Sequence, residues 1–352
     1  MSYTKPDPIT EDDFPLVSLS QSGLHIESHK VAKKLDKVSL SPSTIASLEQ
    51  CPAKWAFEKY VKPEILPEDK DTPGRRGSVF HDIMEEFFRI EPPQDRTTSE
   101  LTRITKEVIS EKYPDFKDNP EVIQWVKEAI QGYYKMGGKP QSVIVADTPK
   151  NKRSPDDPDE TQKGLEIFVK GKLGDTIRST LGYIDQVLDS SVGENKSVVV
   201  SDWKTGKMKI PETSFSPSRY GKNTVSTTKL KRGDDGFNEV RQQMIYTMLL
   251  EQQEVSVSSA RLVYPVAGTV VNVDVDDEVI RLRIIETIEE ADQLLEESIE
   301  NNTFEYGPSF LCSWCPLSKV CPDALLKQFP KAWDAQAQQP DPEDLKPGVA
   351  FK

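Results

Sequence analysis

The chain has 352 residues, 36% of them hydrophobic and 29% charged, and carries a net charge of −13. That length admits one large domain or two modest ones. No apolar run approaches the roughly 18 residues of a membrane span, and Met1–Asp13 lacks the charged-then-apolar order of an export signal; a cytoplasmic protein without membrane association is expected. An acidic chain is a poor general binder of polyanions, so any nucleic-acid contact has to come from a local basic surface.

Residues 1–38 are polar and weakly periodic, and read as an N-terminal extension with little structure of its own. Ser41-Pro42-Ser43 signals a helix start, because Ser41 can cap and Pro42 suits the first helical position. That helix leads to Cys51, breaks at Pro52 and continues through Trp55, Phe57 and Tyr60. Val79, Phe80, Ile83, Met84, Phe87 and Phe88 then repeat at helical spacing with one broad apolar face. Further helices are expected over 99–111 and 120–135, and the Pro/Asp/Lys-rich stretch Pro149–Lys163 reads as an exposed loop. Leu165–Lys170, Leu181–Leu188 and Ser197–Trp203 are short, apolar and bounded by turn residues, as strands are.

Between Trp203 and Gly233 stand eight basic residues (Lys204, Lys207, Lys209, Arg219, Lys222, Lys229, Lys231, Arg232) and one acid, Glu212. A stretch of charge +7 in an acidic chain is either a solvated loop or a contact surface for phosphates. A helix near Phe237–Glu251, strands at Ala260–Tyr264 and Thr269–Val275 and a long acidic helix from Asp277 to Asn301 follow, and the residues beyond Phe329 read as a loose tail. Helices, a central set of strands and helices again predict an α/β sandwich with a mixed sheet.

Within this frame a few residue types sit where metal-assisted chemistry would need them. The strand ending in Asp202-Trp203-Lys204 delivers a carboxylate and an ammonium to one face, since alternate residues of a strand share a face. Hydrolysis of a phosphodiester at neutral pH needs a carboxylate to hold a divalent cation and a positive group to offset developing charge. By itself Asp-x-Lys is more often an ordinary ion pair at an exposed strand end. Gly182-Tyr183-Ile184-Asp185 places a second acid on the preceding strand, where antiparallel pairing would bring it to Asp202; it is otherwise a surface aspartate. His81 lies in an apolar helix, as either a core histidine with one hydrogen bond or a ligand, and Glu85 is one turn further on. Gln242 and Tyr246, four apart, carry polar ends on an otherwise apolar helix.

Four cysteines complete the pattern: Cys51 alone, then Cys312, Cys315 and Cys321 spaced C-x2-C-x5-C. Four thiolates make one complete metal or cluster site, and if they share it, the ends of the folded region are tied together. Spacing alone leaves zinc and iron–sulfur open.

Taken in order, Cys51, Gly77-x-x-x-His81, Gly182-x-x-Asp185, Asp202-x-Lys204, Gln242-x-x-x-Tyr246 and the cysteine triplet closely resemble the RecB-like nucleases of the PD-(D/E)XK superfamily, in the branch with an iron–sulfur cluster that includes CRISPR-associated RecB-like exonucleases and the AddB nuclease domain. The likeness covers roughly Leu40 to Pro322, beginning at Leu40-Ser41-Pro42-Ser43. It implies a restriction-endonuclease-like core over 39–325, with a basic insertion at 205–236, a tail over 326–352 and an iron–sulfur subdomain joining the N- and C-terminal parts. It further implies that His81, Asp185 and Asp202 bind Mg2+ or Mn2+, that Lys204 is the catalytic lysine with Gln242 and Tyr246 as the trailing motif, and that Cys51, Cys312, Cys315 and Cys321 hold a structural 4Fe–4S cluster. The expected activity is a metal-dependent DNA exonuclease, acting on single strands in recombination, repair or replication, in a bacterial or phage setting. The competing expectations are a non-catalytic DNA-binding scaffold and an accessory subunit of a helicase–nuclease. The chain has no G-x-x-x-x-G-K-[ST] loop of its own for ATP.

Overall fold

The computed structural model describes residues 15–60, 73–150, 161–226, 229–234, 236–309, 312, 315, 317–318, 320–323 and 349–351. The chain divides into two compact units. One gathers Met1–Asp69, Gly174–Thr180 and Glu286–Lys352; the other gathers Lys70–Leu173 and Leu181–Ile285.

The second unit is built on a seven-stranded mixed sheet. Its strands are β5 (Leu165–Gly171), β6 (Thr180–Asp189), β7 (Val198–Trp203), β8 (Phe215–Ser218), β9 (Gly221–Val225), β10 (Val257–Tyr264) and β11 (Thr269–Val273), in the order β5-β6-β7-β10-β11-β9-β8. The β6–β7 pair is antiparallel and β7–β10 is parallel. Gln186 faces Ser201 and Val187 faces Val200, so the next step of the register sets Asp185 opposite Asp202. A small two-stranded sheet, β3 (Asp147–Pro149) with β4 (Thr161–Lys163), brackets the expected 149–163 loop, whose residues 151–160 lie outside the described ones.

Helices α4 (Pro73–Phe88), α5 (Thr98–Lys112) and α6 (Pro120–Lys135) supply most of one core cluster. The predicted apolar face of α4 is buried from Val79 to Phe88, together with Leu101, Ile104 and Val108 of α5, Val122, Val126 and Tyr133 of α6 and the strand residues Trp203 and Val263. Each such large side chain contributes about 1.5–3 kcal/mol on leaving water. Helix α7 (Phe237–Glu251) contacts β5, β7 and β10 and is buried almost all round, from Val240 through Leu250.

The first unit holds α1 (His29–Leu35), α2 (Pro42–Gln50), α3 (Pro52–Tyr60), most of α8 (Glu278–Glu300) and a three-stranded sheet, β12 (Val349–Phe351), β1 (Val17–Leu19) and β2 (Leu24–Ile26). Ser41 caps α2 as its sequence foretold, accepting from the Thr44 amide at 3.0 Å with Pro42 in the first turn. Arg178 is buried and pairs through its terminal nitrogens with Asp292 at 3.0 Å and Glu296 at 2.6 Å.

Two segments differ from the expectation. The stretch read as an unstructured extension carries β1, β2 and α1, with Val17, Leu19, Leu24, Ile26, Val31 and Leu35 buried. Strands of three residues are too short to show a period, and their partners are remote: β1 pairs with β12, while Leu24 exchanges backbone hydrogen bonds with Phe304. The stretch read as a basic loop contains β8 and β9, which extend the sheet beyond β11. At the sheet edge most of their side chains face solvent, with Thr224 and Val225 the buried exceptions, so no alternating apolar pattern marks them.

Candidate active site and cysteine cluster

The polar groups singled out in the sequence come together on β6, β7, α4 and α7. Asp202, 1% exposed, and Lys204 point the same way from the end of β7, with Lys204 Nζ 2.8 Å from Asp202 Oδ2. Trp203 points to the other face and packs its ring at 5.6 Å from Phe80 and 5.5 Å from Tyr133. Asp185, opposite Asp202 on β6, accepts from the Trp203 amide at 2.8 Å and stands 3.3 Å from His81 Nδ1. A carboxylate thus takes a backbone donor where the two strands end their ladder, and the ladder bond is replaced rather than lost.

From the helix side, Gln242 and Tyr246 form a relay one turn apart. Lys204 Nζ donates to Gln242 Oε1 at 2.7 Å, and Gln242 Nε2 donates to Tyr246 Oη at 2.9 Å. The Tyr246 ring crosses β6 at Gly182, where a Cβ would lie 2.2 Å from its Cε1. Glycine is required there by this close approach. Glu239, also on α7, accepts a hydrogen bond from the buried Tyr264 hydroxyl. Glu85 is occupied by an ion pair with Arg89 on its own helix.

One residue of the cluster has no place in the sequence motifs. Glu166 of β5 brings a carboxylate oxygen to His81 and Asp185 so that one ligand atom from each lies within 4.8 Å of the others. Its backbone is left-handed, φ 48°, a conformation that is uncommon outside glycine. The only sequence signal was a lone acid between Leu165 and Ile167 at the start of an apolar strand. Nothing in its spacing from Asp185 announces the meeting, because the partnership depends on how β5 registers on β6.

The electrostatics follow from crowding acids in a buried place. Burial, with the charges of Asp185 and Glu85, pushes Glu166 up to about 7. Burial and Asp185 push Asp202 up to about 6 against the opposing pull of Lys204. For His81 burial works downward, but the Asp185 carboxylate and its hydrogen bond outweigh it, aided by Asp202 and Glu166, and raise it to about 9. Burial likewise works against the Lys204 ammonium, and the Asp202 ion pair more than restores it. Four carboxylates (Glu85, Glu166, Asp185, Asp202) crowd around the His81, Arg89 and Lys204 cations, an excess of acid that a divalent cation would offset. Oxygen donors with one imidazole are also the donor set that Mg2+ and Mn2+ accept.

The four cysteines line one small cavity with Tyr306, Gly307, Pro308, Leu317, Ser318 and Asp323. Cys51 sits at the junction of α2 and α3, and its sulfur accepts from the amides of Lys54 at 3.4 Å and Gly307 at 3.3 Å. Cys312 accepts from the Ser309 amide at 3.3 Å. At Gly307 a Cβ would lie 2.1 Å from the Gln50 carbonyl oxygen, so only glycine lets this strand of chain close over Cys51. Burial pushes the Cys315 thiol up to about 12. Without a metal partner such a thiol stays protonated and inert.

An acid pair on neighbouring strands with a lysine two residues beyond the second acid is the arrangement of a metal-dependent phosphodiesterase site. The PD-(D/E)XK nuclease superfamily model matches residues 39–322, and the chain belongs to that superfamily. Its mixed sheet flanked by helices is the α/β restriction-endonuclease-like fold that the resemblance implied. Membership implies nuclease activity on DNA, in a superfamily whose enzymes typically use divalent metals. No curated protein matches the chain. Among the described residues no helix is long and apolar enough to cross a membrane.

Proposed function

We propose that the protein is a RecB-like DNA exonuclease dependent on Mg2+ or Mn2+, acting on single-stranded DNA in recombination, repair or replication, within a bacterial or phage setting and in the cytoplasm. The single observation that carries this reading is the meeting of His81 from α4, Asp185 from β6 and Asp202 and Lys204 from β7 in one cluster.

His81, Asp185 and Asp202 would hold the cation, which when bound supplies the Lewis acid that polarises a phosphodiester and activates water. Lys204 sets a positive charge beside the scissile phosphate and holds the attacking water on its in-line path. Gln242 fixes the lysine, and Tyr246 fixes Gln242, so the ammonium is aimed before substrate arrives. Asp202 serves both sides: its Oδ2 pairs with Lys204, which ties the position of the lysine to the acid that holds the metal.

Substrate contact falls to the insertion over 205–236. Lys207, Lys209, Lys222 and Lys231 are exposed and have no carboxylate partner among the described residues. Ammonium groups left free at the surface of a protein of charge −13 are placed to meet phosphates.

The four cysteines hold a structural 4Fe–4S cluster in this reading, in a subdomain joining the N- and C-terminal parts of a nuclease domain over 39–325, with 1–38 preceding it and a tail over 326–352. Backbone amides donating to Cys51 and Cys312 sulfur are the contacts that stabilise cluster thiolates.

The test is degradation of end-labelled single-stranded DNA with Mg2+ or Mn2+, beside a circular single strand and an EDTA control. Cleavage of the linear strand alone, lost in EDTA, is expected. Cleavage of the circle would make the enzyme an endonuclease, and inactivity on every DNA with both metals would favour the scaffold or a helicase-dependent subunit.

A further inference from the structure

The motifs leave Glu166 without a role, yet it is the third member of the one group of metal-ligand side chains that the described residues bring together: His81, Glu166 and Asp185, each offering an atom within 4.8 Å of the other two. Ligands of an octahedral ion at about 2.1 Å stand about 3 Å apart when adjacent and about 4 Å when opposed. A small contraction therefore closes all three onto one ion. Among the described residues the Glu166 carboxylate has no hydrogen bond or ion pair. The neighbouring acids differ: Asp185 has the Trp203 amide and His81, Asp202 has Lys204, and Glu85 has Arg89. A half-buried carboxylate that faces three others and has no hydrogen-bond donor of its own is costly, even with the His81 and Arg89 charges nearby, and a bound cation would offset that cost.

We infer that Glu166 is a direct ligand of the divalent cation, supplying from β5 a carboxylate beyond the three ligands assigned above. The inference rests on the reading that His81 and Asp185 bind that cation. It makes the site one imidazole with three carboxylates, a donor set whose added charge tightens binding of a hard dication. It also gives β5 a function: the strand carries a metal ligand as well as completing the sheet. Glu166 is the one acid of that strand, and its backbone there is left-handed.

The test reads binding rather than activity. Mn2+ alone is titrated into the full chain, following the loss of the electron-paramagnetic signal of free aqueous Mn2+. Wild type is compared with Asp185→Asn, Glu166→Gln and Glu166→Gly. The glycine variant removes the carboxylate while suiting the positive φ, so it has no backbone reason to misfold. Wild type should bind, Asp185→Asn should lose binding, and both Glu166 variants should bind at least about tenfold more weakly. Thermal melts without metal should show Glu166→Gln no less stable than wild type, because a repelled charge has been removed. Wild-type affinity in both Glu166 variants, with Asp185→Asn impaired, overturns the role of Glu166 and leaves the cation site standing. Undiminished binding by Asp185→Asn, or none by wild type, overturns the cation site itself and this ligand with it.

Discussion

The acidic site and the cysteine cavity recruit residues from distant parts of the chain by different means. In the acidic site the polar groups ride on regular elements: Asp185 and Asp202 face each other because β6 and β7 pair in one register, and Gln242 and Tyr246 line up because α7 has a turn between them. In the cysteine cavity Cys51 sits at the junction of two helices, and its sulfur and that of Cys312 accept from backbone amides rather than standing on a sheet. A site set by register is preorganised by the fold. A site built from element ends depends on what it binds, since four thiols contribute little cohesion until a metal draws them together. The acidic site should therefore lose function without losing structure, and the cysteine site the reverse.

Lys204→Ala gives the sharpest form of that contrast. Removing one preorganised charge of this kind costs about 10²–10³ in rate, and the visible absorption should be unchanged. Retained cleavage in this variant would remove the lysine from the mechanism. Cys321→Ser should behave oppositely, losing iron and sulfide on analysis and melting at lower temperature, with divalent-ion binding measured separately. If the serine variant keeps both iron and stability, the cavity has no cluster-holding role.

Surface charge gives a smaller effect. Replacing Lys207, Lys209, Lys222 and Lys231 together by alanine should weaken DNA binding and flatten its dependence on salt, by about one unit of logarithmic slope for each phosphate that is no longer neutralised. An unchanged slope would return the insertion to the status of a solvated edge.

Protonation should show in the metal-free protein. Glu166, Asp202 and His81 all titrate higher in the folded chain than their ordinary values of 4.5, 3.8 and 6.5. Each therefore contributes stability that is present below its ordinary value and is lost as pH rises through its folded one. In EDTA the melting temperature should fall with rising pH, through about 6 for Asp202, about 7 for Glu166 and about 9 for His81. Added Mn2+ should offset that fall most at the alkaline end, and a flat profile in EDTA would mean the acids do not sense one another. The mildest changes belong to the relay: Gln242→Ala should slow cleavage by about tenfold, the equivalent of one hydrogen bond to a charged group, and Tyr246→Phe by less.

How much of this was legible in the sequence depended on the range of the interaction. The helices of the second unit and the strand ending at Asp202 follow from local period, and Asp185 could be set against Asp202 by assuming one antiparallel pairing, which β6 and β7 make. Residues 17–35 could not be read, because strands of three residues gain their stability from Phe304 and from β12 at the far end of the chain. The edge strands β8 and β9 hid behind their charge. Glu166 hid because a single acid in an apolar strand gains meaning only from the neighbour it is registered against.

One cation meeting an imidazole and acids from separate elements is the claim on which the nuclease reading depends. The most direct measurement is an anomalous difference map from crystals grown with Mn2+. It should show a peak bounded by His81, Asp185, Asp202 and Glu166, beside the Lys204 ammonium. A peak elsewhere, with those side chains unchanged and bound to one another or to water, would contradict that claim.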